Sequence, residues 1–347
     1  MMEIRSFRDS NTGTAIKAVG QKGTDTGHFY YTAMTWMSDS RHLIASAQID
    51  GDKKCQFVRV DTQTGESTVL VNSGEWAGGI VSPDDNLYYL DGSAIQAINL
   101  KTLDTWTVCT LEHENRFYEP LSVSNDGRTM GVYWHEDGQW MIGAVDVASG
   151  KVISACSPKF ERPYEVANHA MINPVYDNLV FYAHEGKTEH ISDRLWVFDM
   201  KTGMTNNIYR QQMLEDGTNG EYVGHEMWAN NGEGMYLVKY NSSPLKPTGV
   251  YYADKWGNGT EFINGDYAYW HAAPSPDGRW IVADTHEQPT KIVLIDLQDK
   301  SSKLLCEQPM WWSHPGHPHP AFSPDSRKVT YTFADEDNHL WIGIIEI

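Results

Sequence analysis

Seven times along the chain a turn of Ser-Pro-Asp-Gly type leads into a short apolar strand, and this recurrence limits the possible folds more than any other feature. The copies begin at Ser38 (SDSRHLIAS), Ser82 (SPDDNLYYL), Ser124 (SNDGRTMGVYW), Asn173 (NPVYDNLVFYA), Ala229 (ANNGEGMYLVKY), Ser275 (SPDGRWIVAD) and Ser323 (SPDSRKVTYTF). Each is followed by a second apolar strand that ends in a polar turn: FVRVDTQTG, IQAINLKTLD, MIGAVDVASG, LWVFDMKTG, a weaker GVYYADKWGNG, IVLIDLQDK and LWIGIIEI.

The runs are short, β-branched or aromatic, and bounded by Asp-Gly or Thr-Gly turns, whereas a helical solenoid needs a 3.6-residue period sustained over ten or more residues. The 347 residues divided among seven units leave about 50 each, the size of a four-stranded blade with its loops. Such units cannot cover both faces alone, and radial repetition leaves them only short, protected edges. The expected fold is therefore all-β, a seven-bladed β-propeller, with residues 1–347 as one domain. The last unit ends on its third strand, while TAIKAVG (Thr14 to Gly20) precedes the first complete unit, so the N-terminal strand is expected to complete the C-terminal blade. The stretch from Ile208 to Leu214 is read as a single turn of helix.

Charge narrows the function. A net −19 opposes a sequence-blind grip on a phosphate backbone, so nucleic acid is not an expected partner. Cys55, Cys109, Cys156 and Cys306 lie far apart with no C-x-x-C spacing, which points to thiols in a reducing compartment. The opening MMEIRSFRDSNTGTAIKAVG has no signal-peptide character, and no run of 18 apolar residues occurs; cytoplasm is the expected location, without membrane attachment. Oligomeric state leaves no signal in the sequence.

Histidines gather where the segments leading into innermost strands should converge: His225, His271, His314, His317 and His319. In His314-Pro-Gly-His317-Pro-His319-Pro the prolines hold the backbone extended, and residues two apart then point the same way. A metal site including His271 is expected; neutral imidazole suits Mn, Fe, Ni, Zn or Cu, and spacing does not choose among them. The competing reading is a proline-stiffened loop whose histidines cap strand ends. His225 in YVGHEMW and Arg194 in SDRLWVFD are further candidates, and His169 in ANHAMINP occupies the phase of His225 one blade earlier. His28 and Tyr31 belong either to the same rim or to the aromatic core. Of Trp311 and Trp312, at most one is expected at the surface, where it could stack on a sugar ring. No G-x-G-x-x-G before a strand–helix unit, G-x-x-x-x-G-K-[ST], G-x-S-x-G or H-E-x-x-H is present.

With these motifs in place, the chain resembles the oligogalacturonate lyase family, seven-bladed propeller enzymes that cleave short oligogalacturonides by β-elimination with a divalent metal, usually manganese. The resemblance spans essentially the whole chain through NHAMINPVYDNLVFYAHEG, DRLWVFD, GHEMW, HAAPSPDGRWIVAD and HPGHPHPAFSPDSRKVTYT. It implies that His271, His317 and His319 bind the metal, most often Mn2+, and that His225 and Arg194 are the catalytic histidine and arginine. One position departs: His314 stands where the family usually has glutamine, and the resemblance then implies a four-imidazole metal set. The implied substrate is a small anionic galacturonate oligomer. A lyase of the same mechanism acting on another uronic-acid glycoside is the nearest alternative, and a non-catalytic propeller scaffold the alternative of another class.

Overall fold

A computed structural model describes residues 1–30, 33–48, 55–72, 78–112 and 115–347. Tyr31 lies outside them. Strands and turns account for the described residues, with no helix among them. The strand Met204–Tyr209 runs through the start of the stretch read as a helical turn, and Met213 bridges to Asn219, so that reading is corrected. The pairing of Met204–Tyr209 with Leu195–Asp199 outweighs a local preference too short to nucleate a helix.

The chain divides into two compact units, Met1–Asp85 with Leu100–Leu103 and Trp270–Ile347, and Asn86–Asn99 with Asp104–Tyr269. In the first unit one antiparallel meander runs Thr26–Gly27, His42–Gln48, Cys55–Asp61, Ser67–Asn72, and another runs Tyr269–Pro274, Trp280–Thr285, Thr290–Asp296, Ser302–Gln308. The second unit holds Val166–Ile172, Leu179–Glu185, Leu195–Asp199, Met204–Tyr209 and then Val223–Trp228, Gly234–Lys239, Gly249–Asp254, Thr260–Asn264. It also holds a sheet in which two short segments, Arg116–Phe117 and Ser122–Val123, both pair with Thr129–Glu136.

The recurring motif builds one local structure. In the copy at Ser275 the serine hydroxyl donates to Asp277 Oδ1 (2.6 Å), which also accepts from the Arg279 N–H (3.0 Å), while the Trp280 N–H donates to Ser275 Oγ (2.9 Å). Ser124 with Asp126 and Ser323 with Asp325 repeat the arrangement. Asp and Ser satisfy the turn's backbone locally, so the next strand starts in fixed register.

The last sheet is completed as expected. Ala15–Gly20 pairs with Leu340–Glu346 through Lys17↔Ile344, Ala18↔Gly343 and Val19↔Ile342. A strand not read from the sequence, Glu3–Arg8, adds outside it, so this sheet has five strands. The joint packs tightly: Trp341 is fully buried, and a Cβ on Gly20 would lie 2.6 Å from its ring. Gly20→Val is expected to overpack this contact and lower stability by about 1–3 kcal/mol, read as a lower urea midpoint with unchanged slope.

Candidate metal centre and catalytic cluster

The first unit gathers three imidazoles. His271 sits in the innermost strand Tyr269–Pro274, and His317 and His319 come from the proline-stiffened segment before Ala321–Phe322. All three are buried, and one ring nitrogen from each lies within 4.8 Å of the others. His271 Nδ1 donates to Asp284 Oδ2 (2.8 Å), which leaves Nε2 as the ligand atom. His317 Nε2 donates to the Trp312 carbonyl (2.8 Å), and its Nδ1 is buried with no hydrogen-bond partner among the described residues. A buried acceptor nitrogen left open beside two other imidazoles is what a metal ligand looks like before the ion is counted.

His319 is held in a left-handed backbone conformation (φ 41°), unusual for any residue with a side chain. Two contacts fix it: its N–H donates to Asp284 Oδ2 (3.2 Å), and its carbonyl accepts from His28 Nε2 (2.8 Å), whose Nδ1 accepts from the Thr332 hydroxyl (2.8 Å). His28 is thus a buried strut under the metal centre. Burial pushes its pKa down to about 4 despite the bond to His319, so it is neutral near pH 7. Burial also lowers His271 far below 6.5, reinforced by His317, His314 and His286, and lowers His317. Neutral imidazoles are the form that ligates a metal. The Asp284 carboxyl is pushed up to about 8 by burial, against the opposing pull of its bonds from the His271 and His319 backbones.

His314 is not a member of the triad. It is exposed, its ring centroid 4.2 Å from His317 and 5.3 Å from His319, and it packs edge-on to Tyr30. The cluster read as four imidazoles is therefore three buried ones with a fourth alongside.

The second unit holds the other candidates. His169 and His225 occupy matching places: each lies at a register shift in its innermost strand, between Asn168 and Met171 or between Gly224 and Met227, with φ of 54° and 52°. Both positions are β-bulges, which re-aim a side chain out of the pleat, and backbone strain of this kind collects at functional sites. Gly224 is required beside His225, since a Cβ there would lie 2.2 Å from the Tyr240 hydroxyl. Arg194 is buried between two carboxylates, with Nε on Glu226 Oε1 (2.5 Å) and Nη1 on Glu185 Oε1 (3.0 Å), and Gln211 accepts its backbone N–H. Burial opposes the guanidinium charge, yet Glu226 and Glu185 outweigh it and hold the pKa well above its ordinary value. Glu185 Oε2 also lies 3.9 Å from His169 Nδ1. His169 is pushed below its ordinary value, first by burial and then by Arg194.

Sequence reading missed Asp284, Glu185, Glu226 and Gln211. Glu226 follows His225 directly and could have been read as its neighbour in the site. Asp284 ends an apolar strand, WIVAD, where a buried carboxylate has no local signal. Of the tryptophan pair, Trp312 is the exposed one (53%), while Trp311 donates its Nε1–H to Asn338 Oδ1 (2.9 Å).

Seven antiparallel meanders, the last completed by an N-terminal strand, define the class: an all-β, seven-bladed β-propeller. The resemblance read from the motifs extends over nearly the whole chain. It is 21% identical to the oligogalacturonide lyase of Pectobacterium atrosepticum, covering 95% of this chain and 93% of that one. It is 20% identical to the oligogalacturonate lyase of Dickeya dadantii, with coverage of 95% and 92%. A solved structure of an oligogalacturonate lyase in complex with manganese superposes with a TM-score of 0.84 at 19% identity, covering 100% of this chain and 96% of that one, a likeness that shows the fold. No family model matches the chain.

Alanine at His271, His317 or His319 is expected to abolish stoichiometric divalent-metal binding, whereas His314→Ala retains it. Asp284→Asn, which loosens the ligand His271 without removing it, should weaken manganese about 10- to 100-fold. Metal titration and elemental analysis of the purified variants check both.

Proposed function

We propose that this protein is a metal-dependent lyase that cleaves short 4-linked galacturonate oligomers by β-elimination. The observation that carries the reading is the buried imidazole triad, with His317 Nδ1 unpartnered, in a chain similar over 95% of its length to oligogalacturonate lyases. His271, His317 and His319 are the residues that would hold the cation, oriented by Asp284, the Trp312 carbonyl and His28. A divalent cation held there, manganese on the precedent of the structure solved with it, would supply Lewis-acid charge withdrawal from a uronate carboxylate and so ease loss of the C5 proton.

The chain's own residues do the rest. His225, aimed by its bulge, takes the C5 proton as general base while the C4–O bond breaks, the C4=C5 double bond forms and the departing oxygen takes a proton from water to leave as a hydroxyl. Arg194 cannot serve as a mobile positive charge, because Glu226 and Glu185 already balance it. Its Nη2 is the guanidinium nitrogen without a partner among the described residues, and in that rigid fork it donates one directed hydrogen bond to a sugar oxygen.

Digalacturonate and manganese-loaded protein are expected to give the ultraviolet absorbance of a 4,5-unsaturated uronate. Thorough chelation should remove that activity and added manganese restore it. His225→Ala is expected to lose on the order of 10²- to 10⁴-fold in kcat while keeping its metal. Activity indifferent to chelation, or product only from a glucuronate or mannuronate oligomer, would reject the metal mechanism or the substrate respectively.

A further inference from the structure

An aromatic wall leads away from the metal centre. Trp270 packs on two of the three candidate ligands, its ring centroid 4.4 Å from His271 at 27° and 4.3 Å from His317 at 50°. Beyond it stand His286, 4.1 Å from Trp270, and Trp312, 6.3 Å from Trp270; His286 meets Trp312 edge-on at 4.9 Å and 75°. The wall thus steps outward from buried ligand rings to Trp312, which is 53% exposed.

Leaving so large a ring in water forgoes the hydrophobic gain of burial that Trp36 and Trp341, both fully buried, obtain. Two other tryptophans are also exposed, Trp106 and Trp256, but neither shares a ring contact with another aromatic side chain among the described residues. Trp312 alone of the three is backed by aromatic rings that reach the metal centre. It is also tied to that centre through its backbone, because its carbonyl accepts the hydrogen bond that fixes His317. Main chain and side chain of one residue therefore face opposite tasks, the first inward to a ligand and the second to solvent.

We propose that Trp312, backed by Trp270 and His286, is a stacking platform for a pyranose ring of the substrate, the ring next to the one whose carboxylate reaches the metal. A pyranose presents C–H groups on its faces and its hydroxyls and carboxylate around the edge, so an indole face with its negative quadrupole accepts the C–H face and leaves the charged edge in water. An acidic oligosaccharide is then held at two points of different chemistry, a carboxylate at the triad and an apolar ring face at the wall. This inference rests on the oligogalacturonate reading.

The test uses the full chain with Trp312→Ala and Trp312→Phe. With manganese bound, Trp312→Ala should raise the KM for digalacturonate about tenfold with kcat changed less than about twofold, and Trp312→Phe should fall between it and the parent. Metal content should stay that of the parent, because the acceptor for His317 is a backbone carbonyl. In chelated protein, where no turnover occurs, digalacturonate should shield the parent's tryptophan fluorescence from iodide and fail to do so in Trp312→Ala; this arm holds even if a variant binds metal poorly. A parent that cleaves digalacturonate alongside a Trp312→Ala variant with unchanged KM and unchanged shielding overturns the platform. A parent that neither cleaves nor is shielded by digalacturonate overturns the substrate reading and the platform with it.

Discussion

The contact on which the rest of this molecule depends is a serine hydroxyl held by an aspartate two residues later. At Ser124, Ser275 and Ser323 it closes the turn on itself, and further polar bonds join one turn to the next. In the first unit the Asp277 N–H donates to Ser326 Oγ, the Asp325 N–H to Ser40 Oγ, and the Ser38 N–H to Asp85 Oδ1. In the second the Asn125 N–H reaches the Pro174 carbonyl and the Asn173 amide the Gly232 carbonyl. These are short polar bonds between buried or half-buried groups, where an unmet partner would cost more than the bond gains. Neighbouring sheets are thereby indexed to one another at their innermost turns, and His169, His225, His271 and His319 each stand four residues ahead of the first residue of such a turn.

That indexing allows strain to be placed locally. His169, His225 and His319 all take left-handed backbone conformations that side chains normally avoid, the first two inside strands and the third in the segment leading into Ala321–Phe322. The charge distribution follows the same economy of means. The net charge is −19, and the buried arginine does not offset it, because Glu185 and Glu226 enclose it on two sides. On the proposed function, attraction for a uronate would have to come from a cation at the triad, over distances short enough that screening leaves it intact. On the same reading Arg194 would contribute direction rather than charge.

Much of this was legible in the sequence because its causes are local. The seven turns gave the meanders, the strand TAIKAVG gave the completion of the last sheet, and the prolines around His317 and His319 gave two imidazoles of the triad. His271 followed from its place ahead of a repeat. What escaped depends on contacts between segments far apart in sequence. Asp284 becomes the orienting carboxylate only because its strand pairs beside His271, and Glu185 and Glu226 frame Arg194 only across a 32-residue separation for the latter. His314 looks like a ligand by spacing, yet it is exposed and stands beside the buried set rather than in it. The extra strand Glu3–Arg8 was missed because its alternation is weak and mostly exposed.

The completed last sheet also bears on how the chain folds. Ala15–Gly20 and its partner Leu340–Glu346 are far apart in sequence, so their pairing closes a very long loop. Until that pair forms, Ala15–Gly20 has an unpaired edge of the kind that recruits other strands. Lys17 puts charge on that edge, opposite Ile344 in the finished sheet, and Glu3–Arg8 covers the other edge. A lysine that looks incidental in the folded molecule thereby counters pairing with the wrong strand.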